Sequence, residues 1–252
     1  MWKTVYQSVQ GTSHQRSGQV CQDSCAVREI SLADETVLVL ACSDGAGSAE
    51  FSDAGSRLAV DTLIDRVAQS LHASQRLNRI SGEQALAWAS QVHDALLAEA
   101  QARQIDARQL ACTLLFAVLG RAGAVFGQIG DGAMVVWQDD AYQNVFWPQS
   151  GEYVNTTNFI TGPKFASCFE FTWRDVPVDE VALFTDGLQM LGLNFRERLA
   201  HGPFFAPMFE RLRQQTGPDE LTGPLRAFLE SPGLAERTDD DKTLVLATRR
   251  TS

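Results

Sequence analysis

Residues 35–47 read ETVLVLACSDGAG. The aliphatic run Val37-Leu38-Val39-Leu40 continues through Ala41 and Cys42 into Ser43-Asp44-Gly45-Ala46-Gly47. A short apolar run bounded by glycines predicts a buried strand over 35–42 that opens into a tight loop. The Asp44 carboxylate therefore arrives at the end of a buried strand, where its desolvation is costly unless something compensates it.

The same arrangement recurs along the chain. Gln22-Asp23, Gly130-Asp131-Gly132, Thr185-Asp186-Gly187 and Asp239-Asp240-Asp241 each set an aspartate in a loop or strand end beside apolar sequence. Any one Asp-Gly is an ordinary turn signal; the recurrence in order carries the inference. If these carboxylates converge, mutual repulsion raises the cost of ionising them, and a divalent cation relieves both repulsion and desolvation. Oxygen-only ligands suit Mg²⁺ or Mn²⁺ rather than zinc. A glycine beside an aspartate lets the backbone approach closely, so its carbonyl can reach a cation or its water.

Outward from these motifs, strands are expected at 4–9, weakly at 23–30, at 111–119, at 124–137 with a break at Gly130–Gly132, at 180–184 and at 243–248. The short turn at 120–123 makes a hairpin, so the sheet is at least partly antiparallel. Apolar stripes at helical spacing predict helices over 54–71 and 83–103, and two more near 204–213 and 218–229. Residues 11–18 read as a polar loop. Residues 144–177 carry turn formers and no long helical pattern, and are expected to form a flap beside the site. No repeat or linker stands out, so residues 1–252 read as a single domain.

Acids outnumber bases 31 to 21, for a net charge of −10. That balance argues against nucleic acid or an anionic membrane as the main partner. Five scattered cysteines, an odd number, give no disulfide framework or zinc spacing and fit a reducing cytosol. No apolar run approaches the ~20 residues that span a bilayer, and residues 1–10 lack a signal-peptide core. A cytoplasmic protein is expected. His72 and His93 fall on helical patterns, where packing or solvated roles are expected. Trp88, Trp137, Trp147 and Trp173 read as core or flap residues, since no basic residues interleave with them.

The ordered motifs resemble the metal-dependent protein phosphatases of the PPM type, or protein phosphatase 2C, in their bacterial branch. The resemblance runs from Gly11 to Ala247. Gly11-Thr-Ser-His14 through Cys21-Gln22-Asp23 is similar to the first motif and Ala41-Cys-Ser-Asp44-Gly45-Ala-Gly47 to the second. Ala111-Cys-Thr113-Leu and Gly130-Asp131-Gly132 are similar to the central strands, and Phe184-Thr-Asp186-Gly187-Leu with Asp240-Asp241-Lys-Thr243 to the last acidic motifs.

This resemblance implies an α+β fold, a four-layer α-β-β-α sandwich of two mainly antiparallel sheets with helices outside. It implies two Mn²⁺ or Mg²⁺ ions, with a third in some bacterial members, that activate water for hydrolysis of phosphoserine and phosphothreonine in phosphoprotein substrates. It assigns Asp44 as the bridging ligand, the Gly45 carbonyl to the second ion, Asp186 and Asp240 to the first, Asp23 to metal-held water, and Asp131 to the third site. Asp241 stands where many members carry asparagine.

Three positions depart from the pattern. Ala46 stands where many members have a histidine thought to protonate the leaving group, and Gly18 where many have a phosphate-gripping arginine. Gln22 replaces a glutamate common in eukaryotic members. His14 and Arg16 lie in the same segment and are expected to substitute, His14 as proton donor or loop anchor and Arg16 as phosphate contact. The missing histidine and arginine leave open a second reading, a non-catalytic module of the same fold that binds metal or phosphopeptide.

Overall fold

The computed structural model describes residues 1–150, 157–217 and 219–250. In chain order the strands are β1 (Lys3–Val9), β2 (Ser24–Ser31), β3 (Thr36–Ser43), β4 (Leu114–Leu119), β5 (Ala124–Ile129), β6 (Ala133–Gln138), β7 (Ala141–Asn144), β8 (Glu170–Arg174), β9 (Glu180–Phe184), β10 (Leu193–Asn194), β11 (Leu199–Ala200) and β12 (Lys242–Thr248). The helices are α1 (Thr12–Ser17), α2 (Ser52–Ser74), α3 (Gly82–Arg103), α4 (Phe165–Cys168), α5 (Gln189–Gly192), α6 (Gly202–Gln214), α7 (Thr222–Leu229) and α8 (Pro232–Ala235). Among the described residues, no helix is long and apolar enough to cross a membrane.

Two five-stranded antiparallel sheets form, in the orders β1-β12-β9-β6-β7 and β2-β3-β4-β5-β8, and β10 pairs with β11 in a small ribbon. The aliphatic run of β3 explains the layering. Successive side chains of a strand point to opposite faces. Along β3, Val37, Val39 and Ala41 pack under α2 and α3, whereas Leu38, Leu40 and Cys42 meet the other sheet. Along β12, Leu244 and Leu246 pack under α6 and α7, and Val245 and Ala247 face inward. Both faces of the central strands are thus covered, which is why they read as unbroken apolar runs rather than alternations. The expected four layers, helices on either side of two antiparallel sheets, are present.

Both long helices contribute an apolar stripe to the core on this face: Leu63, Ile64, Val67 and Leu71 from α2, and Trp88, Val92 and Leu96 from α3. A reciprocal cap starts α3, with Ser81 Oγ accepting from Gln84 N–H and Gln84 Oε1 accepting from Ser81 N–H.

Several local expectations are corrected. Residues 12–17 form a helix, not a loop. Its sequence has no apolar stripe; it is held by Ser13, whose N–H (2.9 Å) and Oγ (2.7 Å) both donate to the Asp239 carbonyl. Residues 124–137 are not one interrupted strand. Gly130–Gly132 carries the chain from β5 in one sheet to β6 in the other. Within 144–177, residues 170–174 form β8, which pairs with β5 as an edge strand; residues 151–156 of the expected flap lie outside the described residues. The strand expected from Ala111 starts only at Leu114, after a 3₁₀ turn at Ala107–Leu110. The helix expected from 218 starts at Thr222.

Candidate metal centre

The ends of β3 and β9 and the β5–β6 crossing meet at one edge of the sandwich. There the carboxylates of Asp44, Asp131 and Asp186 each offer an oxygen, and these oxygens lie within 4.8 Å of one another. Asp44 is locked by Thr113, which donates its N–H to the Asp44 carbonyl (2.8 Å) and accepts the Asp44 N–H on Oγ1 (2.9 Å). The next residue, Gly45, bridges to Cys112. That bridge is closed through Asp44 O and Ala46 N–H, so the Gly45 carbonyl stays outside the ladder. A Cβ on Gly45 would come within 2.7 Å of the Gln22 and Ser52 carbonyl oxygens, so only glycine fits.

Asp131 is positioned from three sides. Thr157 Oγ1 donates to its Oδ2 (2.5 Å), Gln189 Nε2 donates to its carbonyl (2.5 Å), and Gln149 Oε1 accepts the N–H of neighbouring Gly130 (3.0 Å). Gly130 has φ +111°, a conformation that other residues rarely adopt. The remaining oxygen, Asp131 Oδ1, is buried and has no hydrogen-bond partner among the described residues.

Asp23 lies buried behind the trio. Its Oδ2 accepts from Thr185 Oγ1 (2.7 Å) and Thr243 Oγ1 (2.8 Å). The sequence reading missed these threonines, although each sits next to an acidic motif, at Thr185-Asp186 and Asp241-Lys242-Thr243. Desolvation, followed by the neighbouring carboxylates Asp23 and Asp186, pushes Asp44 well above the usual carboxylate range. Desolvation raises Asp23 in the same way, partly offset by Thr185. Asp186 is pushed up to about 7 by desolvation and then by Asp131 and Asp240.

Asp240 is not part of the trio. It is exposed, although its charge acts on Asp44, Asp131 and Asp186. Asp241, by contrast, is buried. Its Oδ1 accepts from Gly11 N–H and its Oδ2 from Gln22 N–H, both at 2.6 Å, and Oδ2 lies 2.9 Å from His14 Nδ1. His14 is buried with it. Arg16 is exposed. Its guanidinium donates to the Thr12 carbonyl (3.0 Å) and hydroxyl (3.2 Å) and sits 3.6 Å from Asp239, at the rim rather than over the trio. His93 is held by packing: its Nδ1 meets the Ile160 carbonyl at 2.7 Å and its ring stacks on Phe165.

The donor set fits a hard divalent cation. It is oxygen only, it concentrates negative charge that raises its own protonation, and one buried carboxylate oxygen has no partner among the described residues. The sequence profile described as Protein phosphatase 2C matches residues 10–230. The chain belongs to the protein phosphatase 2C family. Serine/threonine-protein phosphatase 3 of Escherichia coli (strain K12) is 37% identical over 250 residues, which is 98% of each chain. Among solved structures, a bacterial serine phosphatase aligns with a TM-score of 0.63 over 100% of this chain and 99% of its own, at 17% identity. Staphylococcus aureus Stp1, a serine/threonine phosphatase, aligns at 0.62 over 99% and 96%, also at 17% identity. These structures share the fold of two packed antiparallel sheets. In this protein phosphatase 2C chain the metal dependence typical of the family has its counterpart in the carboxylates of Asp44, Asp131 and Asp186.

Proposed function

We propose that this protein hydrolyses phosphoserine and phosphothreonine in phosphoproteins, with Mn²⁺ or Mg²⁺ held by the aspartates at the strand ends. The observation that carries the reading is the meeting of carboxylate oxygens of Asp44, Asp131 and Asp186 within 4.8 Å of one another, with a buried oxygen of Asp131 that has no partner among the described residues.

Asp44, the Gly45 carbonyl, Asp186 and Asp240 would hold two ions, and Asp131 a third. When bound, the cations lower the pKa of an attacking water and offset charge on the phosphoryl oxygens. Asp23, clamped by two threonine hydroxyls, orients water behind the trio. Thr113 fixes where the Asp44 carboxylate points. His14 supplies the leaving-group proton in place of the residue that Ala46 lacks. Arg16, at the rim beside Asp239, contacts phosphate from the solvent side. Residues 1–252 act as one catalytic unit in the cytoplasm, and the net charge of −10 disfavours nucleic acid as a substrate.

The test is turnover of p-nitrophenyl phosphate and of a phosphoserine peptide in Mn²⁺, in Mg²⁺ and after chelation. Hydrolysis of both substrates that stops on chelation is expected. Calorimetric cation uptake without turnover of either would mean a binding module and overturn the proposal.

A further inference from the structure

The first and last motifs of the chain are joined through one buried carboxylate that the trio does not use. Asp241 is 2% exposed. It collects the N–H groups of Gly11 and Gln22, which flank the segment carrying His14, and faces His14 Nδ1 at 2.9 Å. His14 Nδ1 is buried and makes no hydrogen bond among the described residues; the Asp241 carboxylate oxygen at 2.9 Å is the charged group beside it. Ser13 is strapped to the Asp239 carbonyl, so the whole of α1 is mounted on the 239–241 turn. The same turn carries Asp240.

We propose that Asp241 is a positioning residue that holds His14 as the proton donor to the departing seryl or threonyl oxygen. The proposal rests on the phosphatase reading and deepens it. An acceptor-only carboxylate facing Nδ1 selects the ring form with a proton on Nδ1 and turns Nε2 away from Asp241. As the bond from phosphorus to the leaving oxygen breaks, its electron pair moves onto that oxygen, which takes the proton from Nε2. The neutral ring left behind keeps its proton on Nδ1, facing Asp241, and regains one on Nε2 from solvent. An asparagine at 241 can present its NH₂ to Nδ1 and favour the other tautomer. This is a physical reason for aspartate at this position.

A general acid matters most for a poor leaving group. A seryl alkoxide needs the proton; p-nitrophenolate leaves readily without it. Asp241→Asn is expected to lower kcat on a phosphoserine peptide on the order of tenfold more than on p-nitrophenyl phosphate, with His14→Ala showing the same bias. Equal fractional losses on both substrates, or no loss on either, would overturn the role of Asp241 while leaving the phosphatase reading intact. A wild type that turns over neither substrate would overturn both. The imidazole ¹⁵N spectrum of the wild-type protein tests the assignment without a variant. In neutral His14 a protonated Nδ1 and an unprotonated Nε2 are expected, and the opposite tautomer would sink the proposal.

Discussion

Asp44 and Thr113 exchange two hydrogen bonds, one through the Asp44 carbonyl and one through the Thr113 hydroxyl. The pair joins the end of β3 to the approach of β4 and sets the direction in which the Asp44 carboxylate leaves the sheet. Replacing Thr113 by valine keeps the shape and removes the acceptor for the Asp44 N–H. We expect a loss of about 1–3 kcal/mol in urea unfolding, the cost of a buried amide left without a partner. Calorimetric Mn²⁺ affinity should fall as well; unchanged values for both would show that the exchange is incidental.

The acidic cluster makes its own pH signature. Asp186 is pushed up to about 7, and Asp44 and Asp23 are raised well above the usual carboxylate range, each by burial first, with Asp23 and Asp186 adding to the push on Asp44 and Asp241 and Asp186 to the push on Asp23. A carboxyl with a raised folded-state pKa binds more protons when folded than when unfolded. Its contribution to stability is therefore complete below the unfolded value of ~4 and is lost as pH rises through about 7. Chelated protein should accordingly lose thermal stability between pH 5 and pH 8 on the order of several degrees. Saturating Mn²⁺ should reverse the loss, because the cation displaces those protons. Proton release on binding, read from titrations in buffers of different ionisation heat, should shrink above pH 7. A chelated protein whose melting temperature rises over that range would contradict the electrostatics.

Gly130 supplies a backbone test of the Asp131 site. Its φ of +111° is strained for any residue with a side chain, and a Cβ there would lie 2.5 Å from Thr113 Cγ2. Gly130→Ala should cost more than ~1 kcal/mol in chemical denaturation. Because the turn also aims Asp131, the weakest cation-binding step should disappear first. Wild-type stability and wild-type cation stoichiometry in this variant would show that the turn is tolerant.

Much of this architecture was legible in the chain. The β3 run, the stripes of α2 and α3, and β9 are decided by local periodicity, and each appears close to its expected place. What escaped depended on distant partners. The six residues of α1 carry no apolar stripe, and what holds them is Ser13 against Asp239, more than two hundred residues away. The stretch 124–137 looks continuous because both of its halves are buried; only the positive φ of Gly130 lets it pass from one sheet to the other. The site was legible as a set of aspartates but not as an arrangement. Sequence cannot tell that Asp131 joins Asp44 and Asp186 while Asp240 stays at the rim, nor that neighbouring Asp241 turns inward to His14. Of two neighbouring acids in the 239–241 run, Asp240 is exposed and Asp241 is buried against the N–H groups of Gly11 and Gln22, a distinction set by those distant partners rather than by residue type.

If the converging carboxylates hold the cations on which hydrolysis depends, Asp44→Asn should disable both cation binding and turnover. The substitution keeps the shape and both backbone bonds to Thr113 while removing one charge from the trio. Turnover of a phosphoserine peptide in saturating Mn²⁺ should fall at least 100-fold, on the order of the loss of a catalytic metal ligand. Circular dichroism should be unchanged, and calorimetric cation affinity should drop in parallel. Equal turnover by the two folded proteins, at equal cation affinity, would contradict the account.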